Sequence, residues 1–213
     1  SSTILNNINK LAASAELNKY GARFKYSKFL KVIDQSHESV TSNVTTVEMR
    51  RDLRLAIDQF AEYAIDFGNQ FHISSMDGFN IRSSAFKVLD IANNVYLYDL
   101  PNTDRTTGTL GLFSLDAPGS TTPLIERQNV GVVNYNTGRM TLNPINIVSG
   151  KTKDGQQIME ISVVPESNDV IGLQDLYLQL DTSNVEMIVD EIASGADPSG
   201  STYTVTSSYT DRK

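Results

Sequence analysis

YSKFLKVIDQSHESVTSNVTTVEMRRD, residues Tyr26 to Asp52, is where the chain changes character. Before it, apolar residues recur at helical spacing; after it, they mostly alternate. Within it, Phe29, Val32 and Ile33 stand at i, i+3 and i+4 and predict a short amphipathic helix. Asp34 to Ser39 then supplies cap and turn chemistry, with Ser36 placed to cap a second, very short helix. The β-branched run Val44, Thr45, Thr46, Val47 predicts a strand that ends at the charged pair Arg50 and Arg51. The stretch reads as helix, turn, strand: a hinge between an α-rich head and a β-rich body.

On the N-terminal side of the hinge, Ile4, Ile8, Leu11 and Ala15 form an apolar stripe opposite Asn6, Asn7, Asn9 and Lys10. Thr3 is a candidate cap, Leu17 and Tyr20 extend the packing, and Gly21 is a stop signal. Interior asparagines make this a weak helix by propensity, so it needs a surface to lie on.

On the C-terminal side, Arg54 to Gln70 fits a helical stripe tolerably, but Tyr63, Ile65 and Phe67 alternate and favour a strand. Asp77-Gly78 marks a turn, and strands follow at Phe86 and Val88, at Val95 to Leu100, and at Leu110 to Leu115, with a loop from Pro101 through Gly108. Val130 to Leu142 is the cleanest hairpin, turning at Asn136-Thr137-Gly138 with a positive φ expected at Gly138. Three further sets alternate: Met159, Ile161, Val163; Leu176, Leu178, Leu180; and Val185, Met187, Val189. Lys153-Asp154-Gly155, Glu166 to Asp169 and Asp181 to Asn184 separate them as turns. The expected fold class is α+β: helices and a first strand in 1–52, a sandwich-like antiparallel body in 53–193, and a linker with an edge strand or tail in 194–213.

Composition narrows the function. The 213 residues carry a net charge of −7 and no long Lys/Arg cluster, a poor match to nucleic acid or an anionic membrane. No apolar run approaches the roughly 18 residues a membrane helix needs. Cysteine is absent, which removes disulfides, thiolate metal sites and cysteine nucleophiles together. The chain opens on Ser1-Ser2 without an initiator Met, so it is expected to be part of something longer. His37 and His72 stand far apart, with no acidic partners spaced as a metal triad, and no nucleophile, phosphate-loop or dinucleotide motif occurs. Asp99 and Asp104, flanking the Pro101-Asn102 loop, are a weak calcium pattern against ordinary turn chemistry. Asp58, Glu62 and Asp66 share a face only if their stretch is helical. Asn43-Val44-Thr45 matches the glycosylation acceptor pattern, and Arg50, Arg51 and Arg54 form a small basic group suited to local carboxylates or an acidic partner. No catalytic, cofactor-binding or metal-binding residue is assigned, and no enzyme activity is expected.

The order of motifs carries a family resemblance. YSKFLKVIDQSHESVTSNVTTVEMRRDL is followed by YAIDFGN (Tyr63 to Asn69), VYLYDL (Val95 to Leu100), VGVVNYNTGRMTL (Val130 to Leu142), and ISVVPESNDV with LYLQLD (Ile161 to Asp181). Over about Tyr20 to Asp190 this resembles the C-terminal part of the baseplate wedge ring proteins of T-even-type contractile-tailed bacteriophages, related to the broader J-like baseplate family. The resemblance implies an inner ring of the tail baseplate. Two copies join a different wedge protein in each of six wedges, like copies link neighbouring wedges, and the ring changes diameter on contraction. It implies no cofactor and no catalytic residue. It places the protein in the virion tail, assembled in the host bacterial cytoplasm, as a homodimer or ring-forming homo-oligomer touching other wedge proteins.

Two stretches are candidate self-association surfaces: the stripe Ile4, Ile8, Leu11, Ala15, and the alternating segment with Tyr203, Val205 and Tyr209 beyond the Gly/Pro/Ser linker. Packing within the same chain is the competing reading for both. The alternative function is a glycan-binding adhesin module, with Tyr96, Tyr98, Tyr135 and Tyr203 as a sugar platform. A hydrolase is the weakest alternative, since the sequence places no carboxylate pair.

Overall fold

The computed structural model describes residues 2–38, 40, 43–117, 119–173 and 178–181. Two helices and twelve strands are assigned there: α1 (Ser2–Ala12), β1 (Arg23–Phe24), α2 (Tyr26–Asp34), β2 (Met49–Arg54), β3 (Phe60–Asp66), β4 (Ile81–Ser83), β5 (Lys87–Val88), β6 (Tyr96–Pro101), β7 (Thr107–Leu115), β8 (Pro123–Asn134), β9 (Arg139–Ser149), β10 (Lys151–Lys153), β11 (Gln156–Val163) and β12 (Val170–Ile171).

Every assigned ladder is antiparallel. The larger sheet runs β3-β9-β8-β7-β6, and β5 also pairs with β9. A bridge between Phe86 and Val95 joins the residues leading into β5 and β6, so these pairings run full circle. The smaller sheet runs β10-β11-β2, with β4 also on β11. One apolar cluster fills the space between. It takes Leu97, Leu112, Met140 and Ile147 from the larger sheet, Met159 and Ile161 from the smaller, and Ile8, Phe24 and Phe29 from the head. The chain is therefore mostly antiparallel β with two N-terminal helices, and head and body share a core.

The head holds through contacts that span the chain. α1 packs on α2, and Ile8, 1% exposed, is its buried contact. Asn7 Nδ2 donates to Ser36 Oγ at 3.1 Å, and Ser36 Oγ donates back to the Val32 carbonyl at 2.5 Å. Ser36 thus closes α2 instead of opening another helix; residues 35 and 36 are a turn. α2 has no local side-chain cap at Lys25. Its first amide, Tyr26 N, donates to Asp169 Oδ1 at 2.8 Å, so a carboxylate 143 positions away satisfies the positive end of the helix. β1 pairs with β12 in the same region.

The first strand after the hinge lies later than Val44 to Val47. Residues 43–48 form no strand, and Val44 is fully exposed. β2 begins at Met49 and includes Arg50 and Arg51, because that segment has β11 as a partner from Met49↔Val163 to Arg54↔Ile158. Pairing overrides β-branched propensity here. The boundary drawn at 52 falls inside β2. Tyr63 and Ile65 lie in β3 and point inward with Phe67, as their alternation implies. The loop after Pro101 is shorter than expected, since β7 starts at Thr107. Of the Leu176, Leu178, Leu180 set, Leu178 and Leu180 pack partly buried on the core outside any strand, while Gln179 is exposed. Leu176, the Val185, Met187, Val189 set and the segment from Thr202 onward lie outside the described residues.

The β8–β9 hairpin turns as its sequence implies, from Asn134↔Arg139, with Gly138 at φ +69°. A Cβ on Gly138 meets the Asn69 carbonyl oxygen at 2.0 Å, so two independent constraints demand glycine. Gly155 also has positive φ, +75°, but open space around it. Gly138→Ala is expected to cost about 1 kcal/mol for conformation and more for the backbone clash, and Gly155→Ala only the conformational part. Urea denaturation of both variants checks this; equal losses contradict the tight approach at Gly138.

Candidate interaction surfaces

The alternation of β6, β7 and β8 decides what these strands present at the surface. Val95, Leu97 and Asp99 share the inner face, so Tyr96, Tyr98 and Leu100 share the outer one. Register carries that outer face across the sheet. Tyr96 stands opposite Phe113, and Phe113 opposite Ile125. Leu100 stands opposite Thr109, Thr109 opposite Val132, and Val132 opposite Thr141. Tyr98 lies against Gly111, where any Cβ would come within 2.4 Å of the ring.

The aromatic rings pack on one another. Tyr96 and Phe113 stack at 5.3 Å, and Phe79 stacks on Tyr98 at 5.1 Å. Phe79 also meets Phe113 edge-on at 5.3 Å. Phe79 achieves this from a left-handed backbone, φ +62°, which is rare for a bulky residue. Phe79, Leu100, Ile125 and Val132 remain 39%, 44%, 42% and 58% exposed, whereas Tyr98 beneath Phe79 is buried, so the face is apolar and open chiefly at its margins.

The inner face of the same strands holds a buried carboxylate. Asp99 is 0% exposed. Its Oδ2 accepts from the Tyr135 hydroxyl at 2.6 Å and from Asn80 Nδ2 at 2.8 Å, and its Oδ1 accepts from Ile81 N at 2.8 Å. Burial first, and then the Asp99 carboxylate, push the Tyr135 phenol far above the ordinary tyrosine range. Asp99 and Asp104 were the weak calcium pattern of the sequence; the fold spends both Asp99 oxygens on neutral donors. Asp104 caps its own turn, accepting from Thr106 N at 2.9 Å and Thr106 Oγ1 at 2.7 Å. Those bonds lower its pKa to about 2. Among the described residues no three His, Asp or Glu side chains gather as a metal site. Tyr135 belongs to the core at 1% exposure, and Tyr98 is buried beneath Phe79 at 6%, which removes both from any sugar platform; Tyr96 is partly buried, and Tyr203 lies outside the described residues.

A cleft of about 200 Å³ opens beside Tyr135, lined by Gln70, Phe71, Ile73, Arg105, Asn136 and Glu166. At its rim His72 Nδ1 meets Glu166 Oε2 at 2.8 Å, with both side chains about half exposed. Arg50 pairs with Asp181 at 2.7 Å and Asp52 at 3.5 Å, and Arg51 donates to the Asp66 carbonyl, so these two arginines serve the chain itself. Asn43 donates to Asp34, and Thr45 Oγ1 donates to Asn43 Oδ1 at 3.1 Å. No described helix is long and apolar enough to cross a membrane.

The N-terminal stripe divides. Ile8 is core, Ile4 and Leu11 are partly buried against it, and Ala15 falls beyond the end of α1 and is exposed. Leu17 is buried, whereas Tyr20 is 61% exposed. Tyr203, Val205 and Tyr209 lie outside the described residues.

Residues 1–52 match the family model described as "Baseplate structural protein gp6, C-terminal domain III". The match supports a structural role in a phage tail baseplate. It covers the two helices and the start of β2. No curated protein matches the chain. The outer aromatic face, which lies beyond the matched residues, was half visible in the sequence: Tyr96 and Tyr98 alternate, but nothing local marks Phe79 or Ile125 as their neighbours.

Two outcomes test this geometry. Ile8→Asp places a carboxylate in the core and is expected to cost about 3 kcal/mol or more with loss of helical signal at unchanged mass, while Ala15→Asp changes little. Circular dichroism with light scattering separates this from a pure interface effect, in which mass falls and the fold persists. Tyr135→Phe removes a buried hydrogen bond and is expected to cost about 1–3 kcal/mol at neutral pH. The folded phenol keeps its proton while the unfolded one ionises near about pH 10. Above that pH the unfolded chain binds fewer protons, so stability falls as pH rises. The advantage of the wild-type chain over Tyr135→Phe should therefore be full below about pH 10 and shrink above it, read from urea melts between pH 7 and 11.

Proposed function

We propose that the chain is a wedge component of a contractile phage tail, forming the baseplate inner ring through contacts with copies of itself and with other wedge proteins. The observation that carries this reading is the match of 1–52 to a baseplate structural domain, on a head whose helices are built into the core of the β body. The motif order from Tyr63 to Asp181 extends the same reading along the body. The part it plays is that of a non-catalytic scaffold in the virion, assembled in the host cytoplasm, with protein surfaces as its ligands.

Mass spectrometry of purified virions and of fractionated baseplates tests it. The protein should appear in fixed ratio to the other wedge proteins and persist in baseplates stripped of tail tube and sheath. Its absence from virions, or saturable binding on a glycan array, would overturn the scaffold in favour of an adhesin.

A further inference from the structure

We infer that Asp154 is a site of spontaneous modification: it closes to a succinimide on the Gly155 nitrogen and reopens as isoaspartate, and the fold directs this chemistry to Asp154 and away from Asp77. The inference stands apart from the ring reading above. Asp-Gly is the dipeptide most open to this closure, because glycine places no Cβ beside the attacking nitrogen. The sequence holds it at Asp77-Gly78 and at Asp154-Gly155.

The structure separates the two. Asp154 and Gly155 form the two-residue turn between β10 and β11, at φ +50° and +75°, and both are exposed. Neither the Asp154 carboxyl nor the Gly155 N–H has a hydrogen-bond partner among the described residues. Nothing lies within 4 Å of where a Cβ on Gly155 would stand, so the peptide plane has room to swing. Asp77-Gly78 is closed instead. Gly78 is buried, a Cβ there would meet the Asp99 carbonyl oxygen at 2.1 Å, and the next amide, Phe79 N, donates to that same oxygen at 3.1 Å. Ring closure at Gly78 must rotate a peptide that this contact and this bond hold.

The chemistry needs water alone. The Gly155 nitrogen attacks Asp154 Cγ, the N–Cγ bond forms, and the carboxyl hydroxyl leaves with the amide proton as water. Water then opens the ring. Attack at Cγ restores aspartate. Attack at the Asp154 main-chain carbonyl leaves the chain running through the side chain, one methylene longer, with a free α-carboxylate.

That extra link falls where β10 can least absorb it. A two-residue turn sets the register of its strands, and here it sets Lys153 opposite Gln156. All three residues of β10 are exposed. Beyond the ladder, the strand is held by exposed side-chain bonds such as Gln157 Nε2 to Thr152 Oγ1 at 2.8 Å and Lys153 to Asp52 at 2.5 Å. Isoaspartate at 154 therefore loosens β10 and leaves β11 unpaired on that side over 156–158, while β2 and β4 keep the rest of the sheet. The chain carries a slow, age-dependent change confined to one hairpin.

Ageing the intact chain in heavy-oxygen water at neutral pH, warm but below its melting transition, tests this. Peptide mass spectrometry locates the label, and an isoaspartate carboxyl methyltransferase counts the product. Label and isoaspartate should accumulate at Asp154. Reaction at Asp77 must wait for local opening, so in the folded chain it should be slower by about tenfold or more. In concentrated urea the two sites should react at similar rates. Asp154→Glu, which would need a larger ring, should remove the signal from this peptide with the melting curve unchanged. Amide exchange over 151–158 should quicken in the aged chain while β8 and β9 stay protected. Equal labelling of both sites in the folded chain overturns the inference. So does a folded chain that stays unlabelled at Asp154 once the urea sample has reacted there, or an isoaspartate-rich chain whose exchange over 151–158 is unchanged.

Discussion

The structure depends on a buried carboxylate held by neutral donors. Asp99 enters the interior because its strand alternates, and alternation leaves it no choice: Val95 and Leu97 occupy the same face. Burial of such a group is tolerable only when its acceptor capacity is filled. Tyr135, Asn80 and the Ile81 amide fill it, the first from the end of β8 and the other two, neighbours in sequence, from the approach to β4. The Asp99 main-chain carbonyl adds a further tie, accepting from Phe79 N at 3.1 Å. One residue thereby fixes the end of β8, the approach to β4 and the edge of β6. The same ties hold Phe79 in its left-handed backbone, so the buried polar network and the exposed aromatic face are two sides of one strand.

The parts of the fold that were legible are those where local signals agree with pairing. From Val130 to Leu142, alternation, β-branched residues and the Asn-Thr-Gly turn all point the same way, and the hairpin forms there. Lys153-Asp154-Gly155 is similar: Asp154 and Gly155 both adopt positive φ between β10 and β11. Val44 to Val47 shows the opposite. Its propensity for strand is high, but the ladder with β11 begins at Met49, and a strand needs a neighbour more than it needs valine. The charges at Arg50 and Asp52 made β2 look like a boundary when they are its wet face.

The candidate surfaces were less legible because they are made by contacts that no local window contains. Asp99 shares the parity of Val95 and Leu97, a signal that the sequence does hold, but its proximity to a Pro-Asn loop suggested turn chemistry instead. Nothing near Asp169 indicates that it caps a helix beginning at Tyr26. Phe79 carries no mark of its backbone conformation, which glycine or asparagine would have signalled. Ile8 was visible as apolar, yet only α2 and the body show that its burial is spent within the chain.

The pairing of β1 with β12 fixes the order in which the molecule can be finished. Arg23 and Phe24 are made early, but their strand partners are Ile171 and Val170. The Asp169 that caps α2 arrives just as late. Until those residues are made, Phe24 and Phe29 have each other but not β12 to pack with. Such long-range closure is slow and keeps apolar surface open in the meantime. The two helices thus share their strand partner and their cap with the far end of the chain. A nascent chain released before residue 169 lacks the strand that pairs with β1 and the carboxylate that caps α2.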